Sequence, residues 1–260
     1  MILIDNKIIP LRTFPDNTLS LRIDVSDENN SKTIKWYYES DKEMPAIYYI
    51  SKHLKNAGFS IYLYMPYIPN ARMDRVKNND EVFTLKYFAE FINSLEFKAV
   101  YVRDPHSSVS CALINNVVVD NGHEYIMSAI EKIDDDELVM YYPDEGAMKR
   151  YSGMIKDKPY AFGIKDRDWR SGDIRGIVLM NEDIVKDKNI LIVDDICSKG
   201  GTFYHSAKAL KDAGANDIYL YVTHCENTIF KGDLIDSDLI KHVYTTKSVF
   251  SLAHNKITVL

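Results

Sequence analysis

The chain has 260 residues, room for one large domain or two small ones. Hydrophobic residues make up 46% and charged residues 27%, a globular balance, and 32 basic against 38 acidic side chains leave a formal net charge of −6. That charge argues against a chain held on nucleic acid or an anionic membrane by bulk electrostatics, and no apolar run nears the ~20 residues of a membrane-spanning helix.

The opening Met-Ile-Leu-Ile-Asp lacks the form of a signal peptide. The cysteines, Cys111, Cys197 and Cys225, are odd in number and scattered, which fits a reducing cytoplasm better than a disulfide framework or a cysteine zinc site. In chain order, the spacing predicts a helix over Pro45–Asn56, a strand over Ser60–Met65, a helix over Leu85–Ser94 and a strand over Ala99–Val102. Helices over Val109–Ile114 and Tyr125–Ile133 and a strand over Leu138–Tyr142 follow. The last third reads as strand Ile190–Val193, helix Thr202–Ala213 and strand Asp217–Val222. The β-branched and aromatic content of these strands suits burial on both faces. Gly58 and Gly214 stand where helix terminators belong. Strands alternating with helices imply parallel sheets with right-handed crossovers. The expected architecture is two α/β halves, residues 1–135 and 136–260, facing a shared cleft.

Several polar segments follow the strands, where open α/β sheets bind ligands. Arg72-Met73-Asp74-Arg75 sets two guanidiniums around a carboxylate, either a polyphosphate clamp or a solvated turn with a surface ion pair. His106 in Asp-Pro-His-Ser is, by chemistry alone, more a hydrogen-bonding residue than a ligand of a hard cation. Asp144 is well placed for Mg²⁺, which takes one or two carboxylates plus substrate phosphates. Lys165-Asp-Arg167 reads by itself as alternating surface charge.

The richest segment is Asp194-Asp195 followed by Ser198-Lys199-Gly200-Gly201-Thr202. The glycines let backbone N–H groups converge on an anion, the next helix adds its positive end, and the carboxylates can accept from neutral hydroxyls. A phosphate beside a diol describes a sugar phosphate. The plainer reading is a polar turn with Thr202 as N-cap. The order Lys-Gly-Gly-Thr does not fit a nucleotide P-loop.

Val193-Asp-Asp-Ile-Cys-Ser-Lys-Gly-Gly-Thr202 resembles the phosphoribosyl-diphosphate signature of the type I phosphoribosyltransferase fold, and more narrowly that of the ribose-phosphate pyrophosphokinases. The resemblance implies two phosphoribosyltransferase-type halves. It implies Asp194 and Asp195 on the ribose hydroxyls, with Ser198, Lys199, Gly200, Gly201 and Thr202 around the 5′-phosphate. Arg72, Asp74 and Arg75 match the family's ATP-binding Ala-Arg-Gln-Asp-Arg, with Met73 in place of glutamine. His106 and Asp144 would hold Mg²⁺, and Ala147 replaces the second glycine of Pro-Asp-x-Gly-Gly. Lys165 and Arg167 match the catalytic Lys-x-Arg at the start of a mobile loop, here Asp166–Gly176. Phe14 and Asp16 lie in a weaker match to a turn that reaches the adenine of a neighbouring subunit, and a plain Pro-Asp-Asn turn fits equally. The motif order is kept from Phe14 to Leu260, in a chain shorter than typical members, as in a divergent or virus-encoded one.

The implied reaction moves the β,γ-diphosphoryl group of MgATP to the C1 hydroxyl of ribose 5-phosphate, in a homo-oligomer (dimer or hexamer). The family has Asp-Thr where Ser198-Lys199 stand, which makes the 5′ end more cationic and raises ADP-ribose, and so NAD metabolism, as an alternative. A phosphoribosyltransferase and a non-catalytic regulatory homologue are the readings from other classes.

Overall fold

The computed structural model describes residues 1–26, 29–167 and 174–260, which form two compact units, Met1–Asn121 and Gly122–Leu260. In the first unit, β1 (Ile2–Ile4) and β2 (Lys7–Ile8) form a hairpin, and β3 (Arg12–Thr13) with β4 (Leu19–Ser20) a separate two-stranded ribbon. The β1–β2 turn falls on Asp5 and Asn6, with φ of 46° and 69°, the positive values a tight hairpin requires. Then β5 (Ser31–Trp36), α1 (Met44–Asn56), β6 (Ser60–Tyr64), α2 (Thr84–Ser94), β7 (Val100–Arg103), α3 (Ser108–Leu113) and β8 (Val117–Asp120) alternate. The sheet order is β2-β1-β5-β6-β7-β8, parallel from β5 to β8, with β1 antiparallel to both its neighbours.

Alternate residues of β5 and β6 are buried, so one face carries the core of Ile34, Trp36, Ile61 and Leu63 under α1 and α2. Burial on both faces, as read from the β6 sequence, does not hold there. The helix terminator reading at Gly58 does hold. Gly58 has φ of 92°, its N–H donates to Lys55 O at 2.9 Å, and Phe59 N–H donates to Leu54 O at 3.1 Å. These are the paired bonds of a Schellman motif.

The second unit opens with α4 (His123–Ile133), followed by β9 (Val139–Tyr142), α5 (Glu145–Tyr151), β10 (Tyr160–Arg167), β11 (Ile174–Met180), β12 (Ile190–Cys197), α6 (Gly201–Asp212), β13 (Ile218–Cys225), β14 (His242–Thr245) and β15 (Ile257–Val259). The division lies before α4 rather than at the expected 135/136, because Ile126, Ala129 and Ile130 of α4 pack with Leu138, Met140 and Tyr142. The sheet runs β11-β10-β9-β12-β13-β14-β15, parallel except for the β10–β11 hairpin. Its central strands are buried on both faces, as their composition requires. Ile190 and Ile192 face one core, Leu191 and Val193 the other. Gly214, φ 90°, closes α6 with the same paired bonds to Lys211 and Leu210. Among the described residues, no helix is long and apolar enough to cross a membrane.

Candidate active site

In the second unit the expected residues leave from neighbouring strands. β9 lies between β10 and β12, with Tyr142 opposite Phe162 and Tyr141 opposite Ile192. Asp144 follows β9, Lys165 and Arg167 lie in β10, and Asp194 and Asp195 lie in β12. All three parallel strands present their carboxyl ends, the ligand-binding edge of such sheets.

Asp144 is the N-cap of α5, its Oδ1 accepting the Ala147 N–H at 3.0 Å. Ala147 is helical, so replacing the family glycine there needs no positive φ. Asp144 and Glu145 line a cavity of about 390 Å³ with Phe162, Gly163 and Ile164 of β10. A side chain at Gly163 would run into Tyr141 Oη, so glycine lets β10 approach β9 here. Burial pushes the Tyr141 hydroxyl up to about 12, which keeps it protonated beside the cavity.

The expected polar loop Asp166–Gly176 is shorter in the structure. β10 continues through Arg167, β11 resumes at Ile174, and Asp166 pairs with Gly176 across a ladder that shifts register between Asp166 and Arg167. The side chains of Lys165 and Arg167, and residues 168–173 of the expected lid, lie outside the described residues.

β12 extends beyond Val193 to Cys197, so both aspartates are strand residues rather than the start of a loop. Asp195 is 5% exposed and its Oδ2 accepts from Arg150 Nη1 at 3.1 Å. Asp194 Oδ1 accepts the Asp195 N–H at 2.9 Å. Burial, and then the neighbouring Asp195, hold the Asp194 carboxyl well above the ordinary aspartate range, with Asp144 adding to the rise. Among the described residues no cluster of three or more His, Cys, Asp or Glu forms a ready-made metal cage.

Gly200, with φ of 80°, caps α6, and Gly201 opens the helix. Thr202 is therefore inside the first turn, and the N-cap role read for it falls to Gly200. A Cβ at Gly200 would come within 2.7 Å of Leu234. Lys199 and Gly201 are exposed, while Ser198 is half-buried and donates from Oγ to Glu226 Oε2 at 2.5 Å. Beneath the loop Cys197 pairs in register with Cys225, and contact with that thiol plus burial push the Cys197 thiol well up.

In the first unit two loops leave the carboxyl ends of β6 and β7, which pair at Tyr64 and Tyr101. Buried Ile68 and Ala71 anchor the loop that exposes Arg72 and Arg75; Met73 and Asp74 are half-buried, and Arg75 Nε lies 3.5 Å from Asp74 Oδ1. Arg103, 6% exposed, bonds Asp120 at 2.8 Å and the Tyr64 hydroxyl at 2.9 Å, and its N–H reaches Pro66 O at 3.0 Å. That fastens the Arg72 loop to the His106 loop. Half-buried His106 follows Asp104, which is 3% exposed at φ 40°, an unusual backbone for a non-glycine residue and a mark of functional segments.

Phe14–Thr18 forms a turn between β3 and β4, with Asn17 at φ 65°. Asp16 is already engaged there, accepting from Thr18 N at 3.0 Å and Thr18 Oγ1 at 2.7 Å, and those bonds lower its pKa. Phe14 is 55% exposed. The plain-turn reading accounts for every contact of this segment that the structure displays.

Sequence reasoning leaves Arg103 and Glu226 without a role and marks Arg150 only as the arginine near the Pro-Asp-x-Gly-Gly match. Arg150 sits in the last turn of α5, six residues after Asp144. Arg103 and Glu226 act through partners distant in sequence and carry no local signal.

Residues 154–245 match the phosphoribosyl transferase domain. The ribose-phosphate pyrophosphokinase of Mycoplasma genitalium is 27% identical over 252 residues, covering 91% of this chain and 74% of that protein. That of Saccharolobus solfataricus is 24% identical over 230 residues, covering 86% and 77%. The crystal structure of phosphoribosylpyrophosphate synthetase from Mycobacterium smegmatis superposes with a TM-score of 0.80 at 19% identity, covering 97% of this chain and 85% of that one, a likeness of fold. Over most of its length the chain is similar to ribose-phosphate pyrophosphokinases, and the match to the phosphoribosyl transferase domain lies in its second half.

Proposed function

We propose that the protein transfers the β,γ-diphosphoryl group of MgATP to the C1 hydroxyl of ribose 5-phosphate, giving phosphoribosyl diphosphate and AMP. One observation carries the reading. In a chain homologous to ribose-phosphate pyrophosphokinases, Asp144, the Lys165–Arg167 strand and the Asp194–Thr202 segment sit on three adjacent strand ends.

The sugar hydroxyl is the nucleophile, so the protein need only position reactants and spread charge. Asp194 and Asp195 accept from the ribose hydroxyls, with Arg150 holding the Asp195 carboxylate. Backbone N–H groups of Gly201 and Thr202 at the start of α6 receive the 5′-phosphate. Lys165 and Arg167 stabilise charge on the transferring group. Arg72 and Arg75 clamp ATP, and on the weaker match the Phe14–Asp16 turn would reach the adenine bound by a neighbouring subunit. Asp144 in the second unit and His106 in the first are the residues proposed as Mg²⁺ ligands, and the ion would supply neutralising charge to the phosphates. The Asp144 carboxylate suits that hard cation, and a positive charge nearby would offset the repulsion from Asp195 and Asp144 that, after burial, raises Asp194. The free cysteines suit a cytoplasmic setting, and a homo-oligomer, checked by light scattering, belongs to the same reading.

ADP-ribose as acceptor draws on the exposed Lys199 ammonium in the anion loop. Its other support, the carboxylate missing at Ser198, is offset by the Glu226 carboxylate 2.5 Å away. Ribose 5-phosphate is therefore the favoured acceptor. AMP release from ATP is measured with each acceptor in turn. Release with ribose 5-phosphate supports the proposal, release with ADP-ribose alone supports the alternative, and release with neither removes both.

A further inference from the structure

The loop between β12 and α6 is shaped by a distant segment, residues 226–234 after β13. Ser198 Oγ donates to Glu226 Oε2 at 2.5 Å, and the same oxygen accepts from Thr228 Oγ1 at 2.9 Å. Glu226 N–H donates to Cys197 O at 2.8 Å, which carries the β12–β13 ladder up to the first loop residue. Farther on, the Gly232 backbone lies so close to the Lys199 carbonyl that no Cβ would fit, and Leu234 packs on Gly200. Side chain, ladder and backbone of one segment thus bear on each of residues 197–200.

We propose that Glu226 is the positioning residue of the anion-binding loop, holding Ser198 so that the following backbone N–H groups converge on the 5′-phosphate. The inference rests on the functional reading above for the identity of that anion. The hydrogen bond joins two half-buried groups, where water competes less than at the surface. Because the Ser198 proton goes to Glu226, the serine oxygen turns only lone pairs to the pocket, and it cannot donate to a phosphate while that bond stands. Anion recognition then falls to the backbone N–H groups, the α6 N-terminus and Lys199. Glu226 acts through Ser198 and not on the ligand.

The test uses the full chain with Glu226→Ala, Glu226→Gln and Ser198→Ala. Its readouts are KM for each substrate, kcat from AMP release, and amide hydrogen exchange without ligand. Hydrogen bonds to charged groups are strong enough that Glu226→Ala should raise KM for ribose 5-phosphate roughly tenfold, with KM for ATP within about twofold. Amides 198–203 should exchange about tenfold faster while those of 190–196 keep their protection. Glu226→Gln retains an acceptor oxygen and should stay within about threefold of the parent, and Ser198→Ala combined with Glu226→Ala should cost little more than Glu226→Ala alone. Parental KM and exchange in Glu226→Ala overturn the inference. So does faster exchange spread over all of β12 and β13, which is the signature of general destabilisation. If the parent protein releases no AMP, the functional reading fails and the ligand-free exchange alone decides the role of Glu226.

Discussion

Asp194 is a residue whose chemistry is strongly altered by its surroundings. Its carboxyl keeps a proton to higher pH in the fold than in the unfolded chain, so the folded state binds more protons from the ordinary 3.8 up to the raised value. Stability of the protein without substrate or metal should then fall as pH rises through that window. Asp194→Asn should remove the fall and raise Tm by a few degrees at neutral pH while abolishing AMP release. Melting curves in a chelator across pH 4–8 would check this, and parallel curves for parent and variant would refute it. Lys165→Ala should lower kcat by two or more orders of magnitude with an unchanged circular dichroism spectrum, since charge stabilisation of the transferring group is lost. An unchanged rate would remove the assignment of Lys165. The placement of the aspartates and the glycines at the β12–α6 junction was legible because their residue types and order are local. Arg150, Arg103 and Glu226 were not, because each is defined by a partner 45, 17 or 28 positions away.

At the scale of elements, the strongly patterned pieces were readable and the mixed ones were not. α1, α2, α4 and α6 carry amphipathic spacing and end at glycines or short turns, and β6, β7, β9, β12 and β13 are apolar runs. β5 reads Ser-Lys-Thr-Ile-Lys-Trp and gains its strand character from pairing with β1 and β6, which no window of sequence contains. The β10–β11 hairpin hides behind charged residues that suggest a loop, yet Ile164 pairs with Val178 and Phe162 with Met180. The segment after β13 shows how backbone packing sets an element's position. Gly232 has φ −121°, which alanine tolerates, so Gly232→Ala tests sterics alone. Overpacking against the Lys199 carbonyl should cost about 1–3 kcal/mol and lower Tm by roughly 3–10 °C. Gly153→Ala, which meets open space, should leave Tm within about 1 °C and serves as the control in the same calorimetric run.

At the scale of the molecule, the sequence conveyed two α/β units but misplaced their boundary by one helix. The error arose because α4 follows β8 without a linker of distinctive composition, and only its packing assigns it to the second unit. That unit contains a complete seven-stranded sheet with cores on both faces. A fragment of residues 122–260 should therefore fold alone and melt cooperatively, as a calorimetric scan would reveal; a featureless scan would mean that its stability is borrowed. Every ladder among the described residues stays inside its own unit. Recombination near Asn121 would consequently carry off an intact half without severing a strand pair. Such modularity would let the two halves change at different rates within one lineage.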